Sequence, residues 1–132
     1  MTPDAPRSRP ADHPAAPMDV DAQAACVAAC VRAATVCTVC VDGCLDEPVA
    51  GVRGAVRLTL DCADVLTATA SVLSRHFDSA TSAARHLVAA CITATSACAD
   101  ELEQGDPPEH RRRSAEECRR SEQACRALFA TL

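Results

Sequence analysis

From Val20 to Val41 the chain is apolar nearly throughout, interrupted only by Asp21, Gln23 and Arg32 among small and threonine residues. Within and just after this stretch Cys26, Cys30, Cys37, Cys40 and Cys44 fall 0, 4, 11, 14 and 18 residues from the first. At about 100° per residue those offsets map to roughly 0, 40, 20, −40 and 0°, one narrow stripe on a single helix. The C-x6-C interval returns downstream as Cys91/Cys98 and Cys118/Cys125, and each such step of two turns comes back near the same face. The pattern predicts helices whose inward faces carry sulfur.

Local punctuation divides the chain into four such helices. The first starts at Asp19 or Asp21 as N-cap and runs to about Leu45, where Asp46-Glu47-Pro48 ends it. Pro48 opens the second in its first turn, Gly51 and Gly54 weaken that start, and the helix continues to about His76. Asp78 caps the third, which runs until Gly105 supplies a C′ residue. Asp106 as N-cap, Pro107 at the first helical position and Glu109 two further on form a box-like start for the fourth. Helices of roughly 25 residues joined by short connections pack as antiparallel neighbours, so the expected fold is all-α, an up-down-up-down four-helix bundle with a cysteine-lined core. Residues 19–132 form this domain, and 1–18, with five prolines by Pro17, form a disordered tail. Counting outward from the turns places Cys26, Cys30, Cys62, Cys91, Cys118 and Cys125 toward the end where the first helix starts. Cys37 and Cys98 then lie mid-bundle, and Cys40 and Cys44 approach the other end, beside His110.

Composition narrows the chemistry. Among 132 residues there are ten cysteines, no Trp or Tyr, and only Phe77 and Phe129 as aromatics, which leaves slim side chains suited to closely packed helices. The amino terminus lacks the apolar run of a secretory signal, so the expected location is the cytoplasm, where thiols stay reduced. The charged breaks in Val20–Val41 argue against a membrane span. A net charge of −5 and the interleaving of Arg111-Arg112-Arg113, Arg119, Arg120 and Arg126 with Glu109, Glu116, Glu117 and Glu122 argue against nucleic acid and for a solvated helix face.

A lone buried cysteine is an adequate small hydrophobe, but five on one stripe are not explained by hydrophobicity, since Ala, Val or Leu would fill those places without risk of oxidation. Disulfides along one helix meet unfavourable geometry. Zinc and iron–sulfur sites call for convergent knuckles, and Cys37/Cys40 is the only C-x2-C, inside a helix. Cu(I) is soft, favours thiolates and accepts low coordination, so a column of thiols can hold many ions, on the order of one per sulfur. Two other readings stay open: a thiol redox or oxidant-sensing bundle forming reversible disulfides, and a scaffold with inert thiols. An enzyme is not expected, because no Cys–His nucleophile loop, glycine-rich phosphate loop or spaced carboxylate pair is present.

The chain resembles the cytosolic copper storage proteins over Asp19 to Leu132. The resemblance rests on Cys26-x3-Cys30-x6-Cys37-x2-Cys40-x3-Cys44, on Leu60-Asp61-Cys62-Ala63-Asp64-Val65 with Leu73-Ser74-Arg75, and on His110 to Cys125. It implies storage of multiple Cu(I) ions in the bundle core, a homotetramer, copper ions as the partner, and loading through one open end where histidines lie. On that basis the ten cysteines are ligands, His110 is the ligand at the open end, and Asp61 is a carboxylate lining the bundle. This chain has fewer cysteines than the family pattern. Ser114 and Ser121 stand where the fourth helix would continue its sulfur, Arg57 and Leu66 flank a solitary Cys62, and Ala33 interrupts the first stripe.

Overall fold

The structure is a computed structural model that describes residues 18–48, 52–75 and 80–132. Four helices follow one another: α1 (Val20–Cys44), α2 (Val52–Leu73), α3 (Ser82–Leu102) and α4 (Glu109–Phe129). Neighbours in sequence pack together, α1 and α4 close the ring, and no diagonal pair packs among the described residues. Contacts of Cys26 with Cys125 and of Cys44 with His110 show that α1 and α4 run antiparallel. The expected four-helix bundle is the fold, with all ten cysteines inside it.

Helix boundaries follow local chemistry, with three departures from the expected starts. Asp19 caps α1, its carboxylate accepting from the N–H of Asp21 (3.0 Å) and Ala22 (3.1 Å). Pro48 does not open α2. The N–H groups of Asp46 and Glu47 close turns on the carbonyls of Gly43 and Cys44, which leaves Pro48 in the connection, and α2 as described begins at Val52. α2 ends at Leu73; His76, Asp78, Gly51 and residues 1–17 of the expected tail lie outside the described residues, while Met18, expected in that tail, is buried against the bundle. The cap of α3 is Thr81, whose hydroxyl accepts from Ala84 N–H at 3.1 Å. α3 stops at Leu102 with Glu103 as its C-cap, so Gly105, at φ 68°, sits one residue past C′. α4 starts at Glu109 with Pro108 as N-cap and no side-chain capping bond, displacing the expected Asp106 start by two residues. The reason is Pro108: a residue before proline is driven out of the helical region, so Pro107 cannot begin a helix.

The interior is narrow. Cysteine, Ala33, Ala55, Ala84, Ala99, Ala115, Ser114 and Ser121 line it, with Met18, Leu73, Val88 and Leu128 buried at the end formed by the start of α1 and the end of α4, and Leu66 and Leu102 buried elsewhere along it. Two buried threonines are satisfied within their own helices, Thr69 donating to Val65 O (2.7 Å) and Thr95 to Cys91 O (2.7 Å). Salt bridges tie the outside: Arg32 on α1 to Glu117 on α4 at 2.8 Å, and Arg119 on α4 to Asp100 and Glu103 of α3 at 2.6 and 2.7 Å. The expected pairs along the last helix are present as well, Arg126 with Glu122 and Arg120 with Glu117. Among the described residues α1 alone is long and apolar enough to cross a membrane, but its sulfur face is wholly buried against α2 and α4.

Candidate metal centre

Three groups of donors stack along the bundle axis. In the middle Cys37, Cys62, Cys98 and Cys118, one from each helix, bring their sulfurs within 4.8 Å of one another, as do Cys26, Cys30 and Cys125 at one end and Cys40, Cys44 and His110 at the other. Cys91 joins the first end, 3.9 Å from Cys30. The order differs from the expected layering, since Cys62 and Cys118 belong to the middle. Cys118 lies 3.6 Å from Cys37 and 3.9 Å from Cys62. The shift has a simple cause. Starting α2 at Val52 and α4 at Glu109 slides both helices by a fraction of their length relative to α1, enough to move a residue by a layer.

The gaps between layers hold hydroxyls and hydrocarbon. Ser114 Oγ is 3.3 Å from Cys37 Sγ, and Ser121 Oγ is 3.4 Å from Cys30 Sγ; both serines are fully buried. The thiol of Cys98 donates to Thr59 Oγ1 at 3.8 Å. Leu66 and Ala33, equally buried, occupy the remaining stripe positions where the sequence lacks sulfur. The interruptions at Ser114, Ser121, Leu66 and Ala33 are thus real, and the two serines remain in polar contact with the thiols beside them, whereas Arg57 is exposed and does not hold a place in the stripe.

All ten thiols are free. Their closest approach, Cys26 to Cys125 at 3.3 Å, is well beyond the S–S bond of about 2.05 Å. In the middle layer the contacts from Cys118, Cys62 and Cys98 pull the Cys37 thiol down against the effect of burial, while those from Cys37, Cys62 and Cys98 push Cys118 up. Cys30 is pulled down in the same way by Cys125, Cys26 and Cys91. In each of these layers the thiol most favoured to ionise, with neighbouring S–H groups turned toward it, is the one on α1. Toward the other end burial, then the neighbouring Cys44, pushes Cys40 up to about 12 from its ordinary value near 9. Folding thus favours the protonated Cys40. Its contribution to stability is complete below about pH 9 and is lost as the pH climbs toward 12, so the denaturation midpoint of the reduced metal-free chain should fall between about pH 9 and 12, and Cys40→Ser should flatten that fall.

The Cys40–Cys44–His110 end is the accessible one. His110 is partly exposed, and a depression of about 320 Å³ lined by Thr35, Val39, Cys40, His110 and Arg113 leads in from the surface. His110 Nε2 lies 3.8 Å from Cys44 Sγ and 2.7 Å from Glu47 Oε2. Burial would raise the Glu47 carboxyl, but the His110 hydrogen bond and the Arg111 guanidinium outweigh it and hold it low. Glu47 was not among the expected site residues. Its position in a connection, 63 residues from His110, leaves no periodic trace. Asp61, expected to line the interior, is exposed instead and borders a surface groove with Arg57 and Leu60. One residue on from an inward position a helix has turned by about 100°, so a neighbour of buried Cys62 faces outward. His86 is exposed on α3, where its Nδ1 meets Ser82 O at 2.8 Å.

A closed helical bundle whose axis is filled with free thiols, with one imidazole at an accessible end, defines a metal-holding protein for soft ions. The chain belongs to the copper storage protein family, whose model matches residues 19–130. No match was found among curated proteins. Among solved structures it is similar to the copper storage protein Ccsp from Streptomyces lividans loaded with 10 copper equivalents, with 46% identity and a TM-score of 0.82 over 87% of this chain and 89% of that one. A structure of a cytosolic copper storage protein from Streptomyces lividans with five coppers matches at 46% identity and a TM-score of 0.79, covering 85% of this chain and 95% of that one. Cu(I)-bound BsCsp3 is more distant, at 25% identity and a TM-score of 0.72 over 81% and 97%.

Proposed function

We propose that this chain stores Cu(I), holding multiple cuprous ions through Cys26, Cys30, Cys37, Cys40, Cys44, Cys62, Cys91, Cys98, Cys118 and Cys125, with His110 as the ligand at the accessible end. The observation that carries the reading is the stacking of ten buried, free thiols in layers a few ångströms apart. Thiolates that bridge ions turn such layers into clusters, and the narrow apolar surround keeps water and oxidants from the metal. The role is storage without catalysis. A cytoplasmic location is supported by the free thiols and by the cytosolic relative. A homo-oligomer, a tetramer by family resemblance, is supported by the outward face of α1, where Val20, Val31 and Val39 are more than half exposed. Asp61, being exposed, stands outside this ligand set.

The deciding measurement is titration of the fully reduced full chain with Cu(I) in the presence of a competing chelator, stoichiometry being read by native mass spectrometry. Uptake on the order of ten ions per chain is expected. Binding of no more than one equivalent would overturn storage.

A further inference from the structure

At the accessible end one nitrogen faces two groups. His110 Nε2 lies 2.7 Å from Glu47 Oε2 and 3.8 Å from Cys44 Sγ. An ionised carboxylate only accepts hydrogen bonds, so the short contact places the ring proton on Nε2. A ring nitrogen that carries a proton has no lone pair for a metal. The nitrogen turned toward Cys44 is therefore the one withheld from copper.

The carboxylate that withholds it is itself anchored. Arg111 donates through Nε to Glu47 Oε2 at 3.2 Å and pairs through Nη2 with Oε1 at 3.0 Å, and both side chains are largely buried, 12% and 18% exposed. A two-pronged guanidinium–carboxylate pair fixes orientation as well as charge. The connection after α1 is thereby fastened to the first turn of α4, across the mouth of the bundle. The imidazole also has a made seat. A Cβ on Gly43 would lie 2.9 Å from His110 Cγ and Cδ2, closer than real contacts allow, so only glycine admits the ring there. Glycine inside a helix such as α1 is less favourable than alanine, and the ring seat is the feature here that requires it.

We propose that Glu47 is a positioning residue for copper admission: anchored by Arg111, it holds His110 Nε2 in a hydrogen bond that excludes metal, and copper passes to Cys44 and Cys40 when that bond opens. The inference rests on the storage reading and adds a control point to it. No oxidation state changes. The Nε2–H···Oε2 bond breaks, the ring proton leaves Nε2 for solvent and Nδ1 takes one up from it, and Nε2 donates its freed lone pair to Cu(I) in place of a ligand of the incoming complex; on onward transfer Cu(I) leaves Nε2 as each receiving thiol gives its proton to solvent and its sulfur binds the ion.

The test is stopped-flow mixing of the reduced, metal-free full chain with Cu(I) supplied as a coloured chelator complex, comparing wild type with Glu47→Ala, Glu47→Gln, His110→Ala and the Glu47→Ala/His110→Ala pair. Glu47→Ala should accelerate the first transfer roughly ten-fold with unchanged final stoichiometry, the size expected for losing one charge-assisted hydrogen bond. Glu47→Gln, which keeps the side-chain length and guards against a folding defect, should fall between. On the His110→Ala background the acceleration should vanish. Nitrogen-15 chemical shifts of His110 should report the Nε2–H tautomer in wild type and its loss in Glu47→Ala, a change that simple loosening of the fold would not produce. Equal or slower transfer in Glu47→Ala, or the same acceleration without His110, overturns the latch while leaving storage intact. Failure of every chain to bind copper overturns the storage reading and this one with it.

Discussion

The combined changes Cys37→Ser, Cys62→Ser, Cys98→Ser and Cys118→Ser are expected to lower Cu(I) uptake by roughly 40% or more, the share of sulfur removed being the lower bound. These four cysteines form the only layer to which every helix contributes, and each lies where a bridging thiolate would serve more than one ion. Their loss also isolates Cys26, Cys30, Cys91 and Cys125 from the accessible end, so the ions that remain should load in two separated phases. The bundle itself should survive. Serine at a buried helical position can donate to its own helix, as Thr69 and Thr95 already do. Native mass spectrometry of the reduced variant gives the stoichiometry, and circular dichroism the helix content. Uptake equal to that of the unaltered chain would place copper somewhere other than this column. As a contrast, Cys40→Ser with Cys44→Ser removes half as many thiols and should be felt chiefly in the rate of loading.

The opposite experiment adds sulfur. Ser114→Cys with Ser121→Cys should raise uptake by about two ions per chain, on the order of one per new thiol. Each hydroxyl already lies within 3.4 Å of a thiol, Ser114 beside Cys37 and Ser121 beside Cys30, and both face the interior with no exposure. The new sulfurs would enter where one layer gives way to the next, so filling should also become more cooperative. The added volume is small, and any overpacking should cost no more than about 1–3 kcal/mol. Thermal unfolding of the metal-free protein would register that cost, while titration registers the gain. A stoichiometry identical to that of the parent chain would mean that these two positions lie outside the path along which copper accumulates.

How much of this was legible in the sequence depended on whether the signal was periodic. The α1 stripe was fully readable, because Cys26, Cys30, Cys37, Cys40 and Cys44 return to one face through the period of the helix itself, and all five are buried. The same logic located Ser114 and Ser121 as places in the α4 stripe. The layering was less accessible, since register between helices depends on where each begins. Pro108 and the turns after Cys44 moved two of those starts and with them Cys62 and Cys118. Asp61 was misplaced because adjacency to Cys62 in sequence is the opposite of adjacency on a helix face. The meeting of Glu47, His110 and Arg111 joins a connection to a helix start more than 60 residues away, and no spacing rule spans such a distance.

The middle layer has one further consequence. A single cluster bound to Cys37, Cys62, Cys98 and Cys118 would be bonded to all four helices at once, so the cargo would also rivet its container. A full bundle should resist proteases and heat in proportion to what it carries, and an emptied one should be the first to be degraded. Turnover of the protein would then sort spent copies from laden ones without any separate label to tell them apart.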